Sequence, residues 1–269
     1  MFELLELSLA DTHRFYQYKQ TCPLELNFGL KGFDYGWLLA SHVWNGGEKV
    51  LDVGGAYSPL PLYIQKQYGC ETWVVDDFGM DVNDPFWTRN KKPEEYISQH
   101  PEVKFILERV GNPLRTSLIP GYFDVVYSVS VLEHVPFELT PAVWNHLGLL
   151  VKPGGELIHA VDIPFTSNGG LPKMIKATLF EAFSFLIPGR YQLSHYMATP
   201  MNYARLALRS LGLPMTSRPQ MSVWRMALDP EIMTEGFDYG YNRIMKDNMK
   251  DYHHQRTGSL LIHLRKAAR

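Results

Sequence analysis

The sequence predicts an α/β domain built on a mostly parallel sheet. Short apolar runs alternate with helix-like segments between residues 35 and 162, the pattern of strands joined by crossover helices. A turn of small residues, Gly54-Gly55-Ala56, joins one such run directly to a helix start. The chain has 269 residues, 45% hydrophobic and 20% charged, which suits one large folded domain with insertions.

Each element follows in order. Residues 1–34 precede the first strand and are read as a lid element. A helix is expected over 35–45, with Trp37, Leu38 and Val43 apolar and Asn45-Gly46-Gly47 as its stop. Residues 49–53 read as a strand. Ser58 is a suitable N-cap, Pro59 suits the first helical position, and Gly69 ends that helix. Strands follow at 72–75, 103–107 and 123–128, with a polar, irregular insertion over 78–101. Thr140-Pro141 opens a helix to Leu150, and Lys152-Pro153-Gly154-Gly155 turns the chain into a strand at 156–161. The alternation breaks after Asp162. Residues 163–220, rich in Phe and Tyr, are expected as a helical cap. Two late strands, near 222–228 and 259–264, flank a helical stretch over 230–255. The expected organisation is one domain: lid 1–34, core 35–162, cap 163–220, and C-terminal strands and helix 221–269.

Charge and cysteine content exclude several classes. A net charge of −2 offers no general nucleic-acid binder. The two cysteines, Cys22 and Cys70, form no ligand-spaced cluster, so no metal site is expected. His253 and His254 are adjacent and would point apart on a helix. Residues 1–10 carry Glu3 and Glu6 without a basic stretch, unlike a secretory leader. No apolar run reaches the ~18 residues that a membrane span requires. These features together suit a cytoplasmic protein; they leave the oligomeric state open.

Two pieces carry the chemistry. Gly54-Gly55-Ala56-Tyr57-Ser58 lets a ligand approach the backbone, beside a helix N-terminus with unpaired N–H groups. Asp76 lies 22 residues beyond Gly54, at the end of the second core strand. An acid there can accept hydrogen bonds from ribose hydroxyls. The three-glycine spacing of a dinucleotide fingerprint fails at this turn, which disfavours a nicotinamide-dependent oxidoreductase.

As a set, the motifs resemble the class I S-adenosylmethionine-dependent methyltransferases, in the type 11-like branch. The matching stretches are Val50-Leu51-Asp52-Val53-Gly54-Gly55-Ala56, Val74-Val75-Asp76, Val110-Gly111-Asn112 and Phe123-Asp124-Val125-Val126-Tyr127-Ser128. They continue with Val131-Leu132-Glu133-His134-Val135, Leu150-Val151-Lys152-Pro153-Gly154-Gly155 and Leu260-Leu261-Ile262-His263-Leu264. The resemblance implies a Rossmann-like, seven-stranded, mostly parallel sheet with an antiparallel last strand, helices on both faces and helical cap insertions. It implies S-adenosyl-L-methionine as cofactor. Asp52, Gly54, Gly55, Ala56 and Ser58 would shape the pocket for its methionine part. Asp76 would hold the ribose, with Asp77 the register alternative; Asn112 would face the adenine; Ser128, Val129 and Ser130 would pass under the cofactor. Ala56 and Ser58 stand where relatives often carry Gly.

Methyl transfer to oxygen is helped by a base. His134, after the fourth core strand, and Asp162, at the end of the fifth, are the catalytic candidates. The aromatic cap suits an enclosed acceptor, so the expected reaction is O-methylation of a small molecule or a sugar unit of a glycan. An RNA or protein methyltransferase, or a non-catalytic module of the same fold, is the alternative.

Overall fold

In a computed structural model the protein is described at residues 1–9, 17–18, 20–24, 29–78, 92–114, 116–136, 138–164, 200–213 and 257–268. Apolar, β-branched runs form the strands β1 (Phe2–Leu9), β2 (Lys49–Val53), β3 (Glu71–Val75), β4 (Lys104–Ile106), β5 (Phe123–Val129), β6 (Val151–Pro164) and β7 (Thr257–Lys266). Between them lie α1 (Gly29–Ser41), α2 (Leu60–Tyr68), α3 (Pro93–Gln99), α4 (Thr140–Leu150) and α5 (Pro200–Ser210).

The seven strands form one sheet in the order β1-β7-β6-β5-β2-β3-β4. β2, β3, β4, β5 and β6 pair in parallel, and β7 is antiparallel to both β6 and β1. Successive residues of β5, Val125 to Ser128, are all buried, so both faces of the sheet are covered. On one face Trp144 of α4 meets His159 of β6, with ring centroids 5.0 Å apart. On the other, Asp34 of α1 accepts a hydrogen bond from Ser259 of β7. These contacts put α1 and α4 on opposite faces, since β6 residues 159 and 162 (the latter opposite Ser259) point to opposite sides.

The sequence reading needs several corrections. The expected lid over 1–34 begins as the edge strand β1, paired with β7, and ends inside α1. Thus β7 is the antiparallel strand but not the edge. The seven strands therefore include residues 2–9, and the expected strand at 222–228 lies outside the described residues. α1 begins six residues before the expected start at 35 and ends at Ser41 rather than 45. The insertion over 78–101 holds the ordered helix α3, opened by Pro93. Of the cap over 163–220, residues 163–164 extend β6, 200–210 form α5 against α4 and 211–213 turn out of it; the rest lies outside the described residues, as does the helical stretch at 230–255.

Candidate functional site

β5 lies beside β2 on the side opposite β3, so the strand order reverses between β2 and β5. Open parallel sheets bind ligands at the carboxyl ends of strands around such a reversal. Backbone strain marks the same edge. Ala56, Phe78 and Ser130, with φ of 39°, 50° and 53°, are the non-glycine residues of left-handed backbone among those described. They follow β2, β3 and β5, three adjacent strands. Such strain persists only where surrounding structure enforces it, and it concentrates at functional sites.

The first part of the site surrounds the turn after β2. Gly54, at φ 73°, has no room for a side chain: a Cβ there would lie 2.4 Å from Val131 Cγ1. A Cβ at Gly55 would strike the Asp52 carboxylate at 2.5 Å. Both glycines are thus required by close approach. Ser58 Oγ accepts the Leu60 N–H at 3.2 Å and shares a hydrogen bond of 3.0 Å with the Tyr35 hydroxyl. The helix begins one residue later than the sequence suggested, so Pro59 rather than Ser58 takes the N-cap position, without a side-chain cap bond, and Ser58 stands just before it.

Asp76 closes this turn. Its carboxylate accepts the Ala56 N–H at 3.0 Å and the Phe78 N–H at 2.5 Å. Burial pushes its carboxyl up to about 6, against the pull of the Phe78 amide. Asp77 turns the other way, into an ion pair with Arg109 on the surface. Asp52 is buried beneath the turn, and burial lifts its carboxyl to about 7, with the nearby Tyr127 hydroxyl and Lys31 opposing and Asp76 reinforcing the rise. Beside Asp76 stands an aromatic wall. Tyr57 packs edge-on to Phe78 and Tyr96, with centroids at 5.2 and 5.0 Å. Asn112 is exposed, and its Oδ1 accepts the Leu114 N–H at 3.2 Å.

The second part lies at the ends of β5 and β6. Ser128 points into the core, within 2.8 Å of His159 Nδ1, so its hydroxyl is not offered to the edge. Val129 contributes its carbonyl, which accepts a 2.9 Å hydrogen bond from Lys31 Nζ. Ser130 N–H donates to Ala160 O at 3.0 Å, which fixes the sharp turn there. His134 ends a 3₁₀ turn, Leu132–His134, with its side chain 66% exposed. Leu132 is the buried residue of that turn, and the carboxylate oxygens of Glu133 are buried beside it. Asp162 sits opposite Ser259 in the β6–β7 ladder, and Ser259 donates to Asp34. Asp34, Glu133 and Asp162 form one buried acidic cluster. Burial raises all three carboxyls, and mutual repulsion with Asp162 adds to the rise at Asp34 and Glu133. Lys31 faces them. Burial opposes its charge, but Tyr35 and the three acids hold it protonated.

The predicted residues thus separate. Asp52, Gly54, Gly55, Ala56, Ser58 and Asp76 meet at one turn; Val129, Ser130 and Asp162 meet the acidic cluster. Asp77, Asn112 and His134 face the surface, and Ser128 faces the core. Lys31, Asp34, Tyr35, Tyr57, Tyr96, Glu133 and Tyr203 were missed. Asp34 had a signal: it lies among Phe33, Tyr35, Trp37 and Leu38 in a helix that is buried all round. Tyr203 had none.

One other feature does not join the site. A recess of about 500 Å³ lies at the amino ends of the strands, lined by Lys49, Tyr122, Asp124 and Lys152. Asp124 there is already paired with Lys152 and bonded by the Lys49 N–H. No group of His, Cys, Asp and Glu suited to a metal ion occurs among the described residues. No described helix is long and apolar enough to cross a membrane.

No family model and no curated relative matches the chain. Solved structures do. A protein assigned as a sarcosine dimethylglycine methyltransferase from Galdieria sulphuraria aligns with a TM-score of 0.51 at 15% identity, over 95% of this chain and 99% of that one. A methyltransferase from Bacillus halodurans aligns at 0.49 and 13%, over 87% and 99%. A geranyl diphosphate methyltransferase, bound to its substrate and sinefungin, aligns at 0.49 and 12%, over 97% and 88%. The strand order, the reversal at β2 and β5, and the first of these likenesses agree: the chain has the Rossmann-like fold of the class I S-adenosylmethionine-dependent methyltransferases.

Proposed function

We propose that the protein transfers a methyl group from S-adenosyl-L-methionine to a small acceptor. The observation that carries this reading is the convergence of three strained non-glycine residues, Ala56, Phe78 and Ser130, on the carboxyl edge of three adjacent strands. Fold alone would not suffice.

The residues fit the cofactor chemically. Its sulfonium and ammonium are cations, and Asp52 is a buried carboxyl raised to about 7, whose ionised form a neighbouring cation would stabilise. Its ribose carries two hydroxyl donors, and Asp76 offers a carboxylate at the right strand end. Its adenine needs apolar walls, and Tyr57, Phe78 and Tyr96 supply them. The bound cofactor would supply the activated methyl group and the leaving group. The chain supplies position, exclusion of water and proton handling. Asp52, Gly54, Gly55, Ala56, Ser58 and Asp76 are assigned to the cofactor; Asp77, Asn112 and Ser128 are not.

An acceptor hydroxyl, on a sugar or another small molecule, must lose a proton as it is methylated. Asp162 suits that task better than His134. Its Oδ1 is buried at the strand edge without a hydrogen bond of ordinary length among the described residues, and burial raises its carboxyl against the pull of Lys31 and the Ser130 hydroxyl. The free thiols Cys22 and Cys70 agree with a cytoplasmic enzyme.

Calorimetric titration tests the reading. S-adenosylhomocysteine should bind the native chain, and Asp76→Ala should weaken it by at least about tenfold, as expected for loss of a charged hydrogen-bond acceptor. NAD should not compete. Absence of S-adenosylhomocysteine binding in folded protein would overturn it.

A further inference from the structure

The acidic cluster at the ends of β5 and β6 holds more negative groups than the fold needs. Asp34 is completely buried, and one of its two oxygens, Oδ2, has no hydrogen-bond partner among the described residues. Both carboxylate oxygens of Glu133 and Oδ1 of Asp162 are buried in the same condition. His134 Nε2 stands 3.7 Å from Glu133 Oε1, beyond hydrogen-bond distance. One amine, Lys31, serves all three acids, and its hydrogen bond goes to the Val129 carbonyl instead.

An independent group points the same way. Tyr203, on α5, is only 5% exposed, and its hydroxyl makes no hydrogen bond of ordinary length among the described residues, with the Trp144 indole N–H as its neighbouring donor. It stands near enough to Glu133 to feel that carboxylate's charge. A buried phenol and three buried carboxyls with open lone pairs cost stability unless something donates to them. The polar groups packed around the cluster are Lys31 and Tyr35 from α1, Ser130 after β5, Ser259 from β7, Trp144 from α4 and Tyr203 from α5.

We infer that this cluster is the acceptor subsite, and that the acceptor presents to it an aliphatic ammonium group. An ammonium carries three N–H donors and a positive charge. It would answer the open oxygens of Asp34 and Glu133 together and leave Asp162 Oδ1 to the acceptor's reacting group. A neutral hydroxyl offers one donor and no charge, and an anionic group would be repelled. The subsite adjoins the cofactor turn through Lys31 and Tyr35, which also face Asp52. Both raised carboxyls of α1 and the 3₁₀ turn would ionise on binding, so uptake of the cation releases protons to solvent. This inference rests on the methyltransferase reading for the word acceptor, but the cation site stands on its own residues.

Thermal melts of the full chain separate the two. Propylammonium chloride is the probe, with 1-propanol as the neutral match and sodium chloride at equal ionic strength. Each is tested with and without S-adenosylhomocysteine, at about pH 8. Propylammonium should raise Tm saturably, and 1-propanol and sodium chloride should not. Glu133→Gln and Asp34→Asn should weaken that response about tenfold or more and keep the response to S-adenosylhomocysteine. Asp76→Ala should do the reverse. Both acid variants are isosteric and relieve buried charge, so they are expected to fold. A missing propylammonium response, or one unchanged in Glu133→Gln, overturns the inference. So does loss of the S-adenosylhomocysteine response in Glu133→Gln, which would make this cluster the seat of the cofactor's own ammonium. Failure of S-adenosylhomocysteine in the native chain overturns the methyltransferase reading instead, while propylammonium still decides the cation site.

Discussion

Replacing Asp52 by Asn should stabilise the protein and weaken its hold on the cofactor, and the gain should depend on pH. Asp52 is 3% exposed at the end of β2, and burial lifts its carboxyl from 3.8 to about 7. In the unfolded chain the group ionises near its ordinary value. Between those two values the folded state holds a proton that the unfolded state has released. A raised acid therefore costs nothing below about pH 4 and progressively more as pH rises, until the folded form also ionises. At about 1.4 kcal/mol per pH unit, the full cost above pH 8 is about 4 kcal/mol. Asn removes the charge and keeps the shape. Its poorer match to surrounding donors returns about 1 kcal/mol. The expected net gain is about 3 kcal/mol at pH 8.5, with a small loss at pH 4. Urea denaturation of both proteins across pH 4 to 9 reads this directly. S-adenosylhomocysteine should close the gap, because its ammonium stabilises ionised Asp52 only in the native protein. A gain that is the same at pH 5 and pH 8.5, or a variant less stable at pH 8.5, would refute the reasoning.

Other residues give sharper contrasts. Asp77→Ala should change S-adenosylhomocysteine affinity by less than about threefold in calorimetry, because its pairing with Arg109 is on the surface. Gly54→Ala should destabilise by about 3 kcal/mol or more in urea denaturation, since its Cβ would meet Val131 Cγ1 at 2.4 Å on a left-handed backbone; adding Val131→Ala should recover part of the steric loss. Glu156 accepts hydrogen bonds from His42, His263 and Arg265 at 2.7–3.0 Å, and those partners override burial and hold it well below the usual carboxylate range. Its contribution is complete above the ordinary carboxyl range and lost as pH falls through the lowered value; Glu156→Gln should cost about 3 kcal/mol at pH 7 and flatten the acid side of the stability curve. With an accepted hydroxyl substrate, Asp162→Asn should lower kcat by about a hundredfold or more, whereas His134→Ala should stay within about threefold, as measured by methyl transfer.

Local signals explain what could be read from the sequence. Lys49–Val53, Gly54-Gly55 and Ser58-Pro59 are consecutive, so strand, turn and cap follow from neighbours along the chain. Asp76 could be placed because parallel strands of equal register bring their ends together, and β2 and β3 pair residue for residue from Lys49↔Glu71 to Val53↔Val75. The edge strand could not. The polar-apolar alternation of β1 is broken at Leu4-Leu5, where its register with β7 shifts, and its partner lies at the far end of the chain, where Phe2 meets Lys266. Pairing over that distance leaves no local trace. The sequence pointed to His134 by its place after the fourth core strand and did not single out Glu133 beside it. The 3₁₀ turn decides otherwise: it buries the Glu133 carboxylate and exposes His134.

The acidic cluster shows why the acceptor half was the harder part. Lys31 and Asp34 lie three apart on one helix and would pass as an ordinary helical pair. What changes their meaning is the burial of the whole helix face and the arrival of Asp162, Ser259 and Tyr203 from elements remote in sequence. A pairwise bridge would have satisfied both partners. Here the lysine bonds to a carbonyl, and the carboxyls keep open oxygens. Buried acids without donors lower stability, and replacement by apolar residues would recover it. Their joint placement at the edge where Ala56, Phe78 and Ser130 are also strained makes function the economical explanation. Stability and binding then pull in opposite directions at the same residues, so Glu133→Gln should raise Tm at neutral pH while it weakens cation binding. A purely structural Glu133 would lower both.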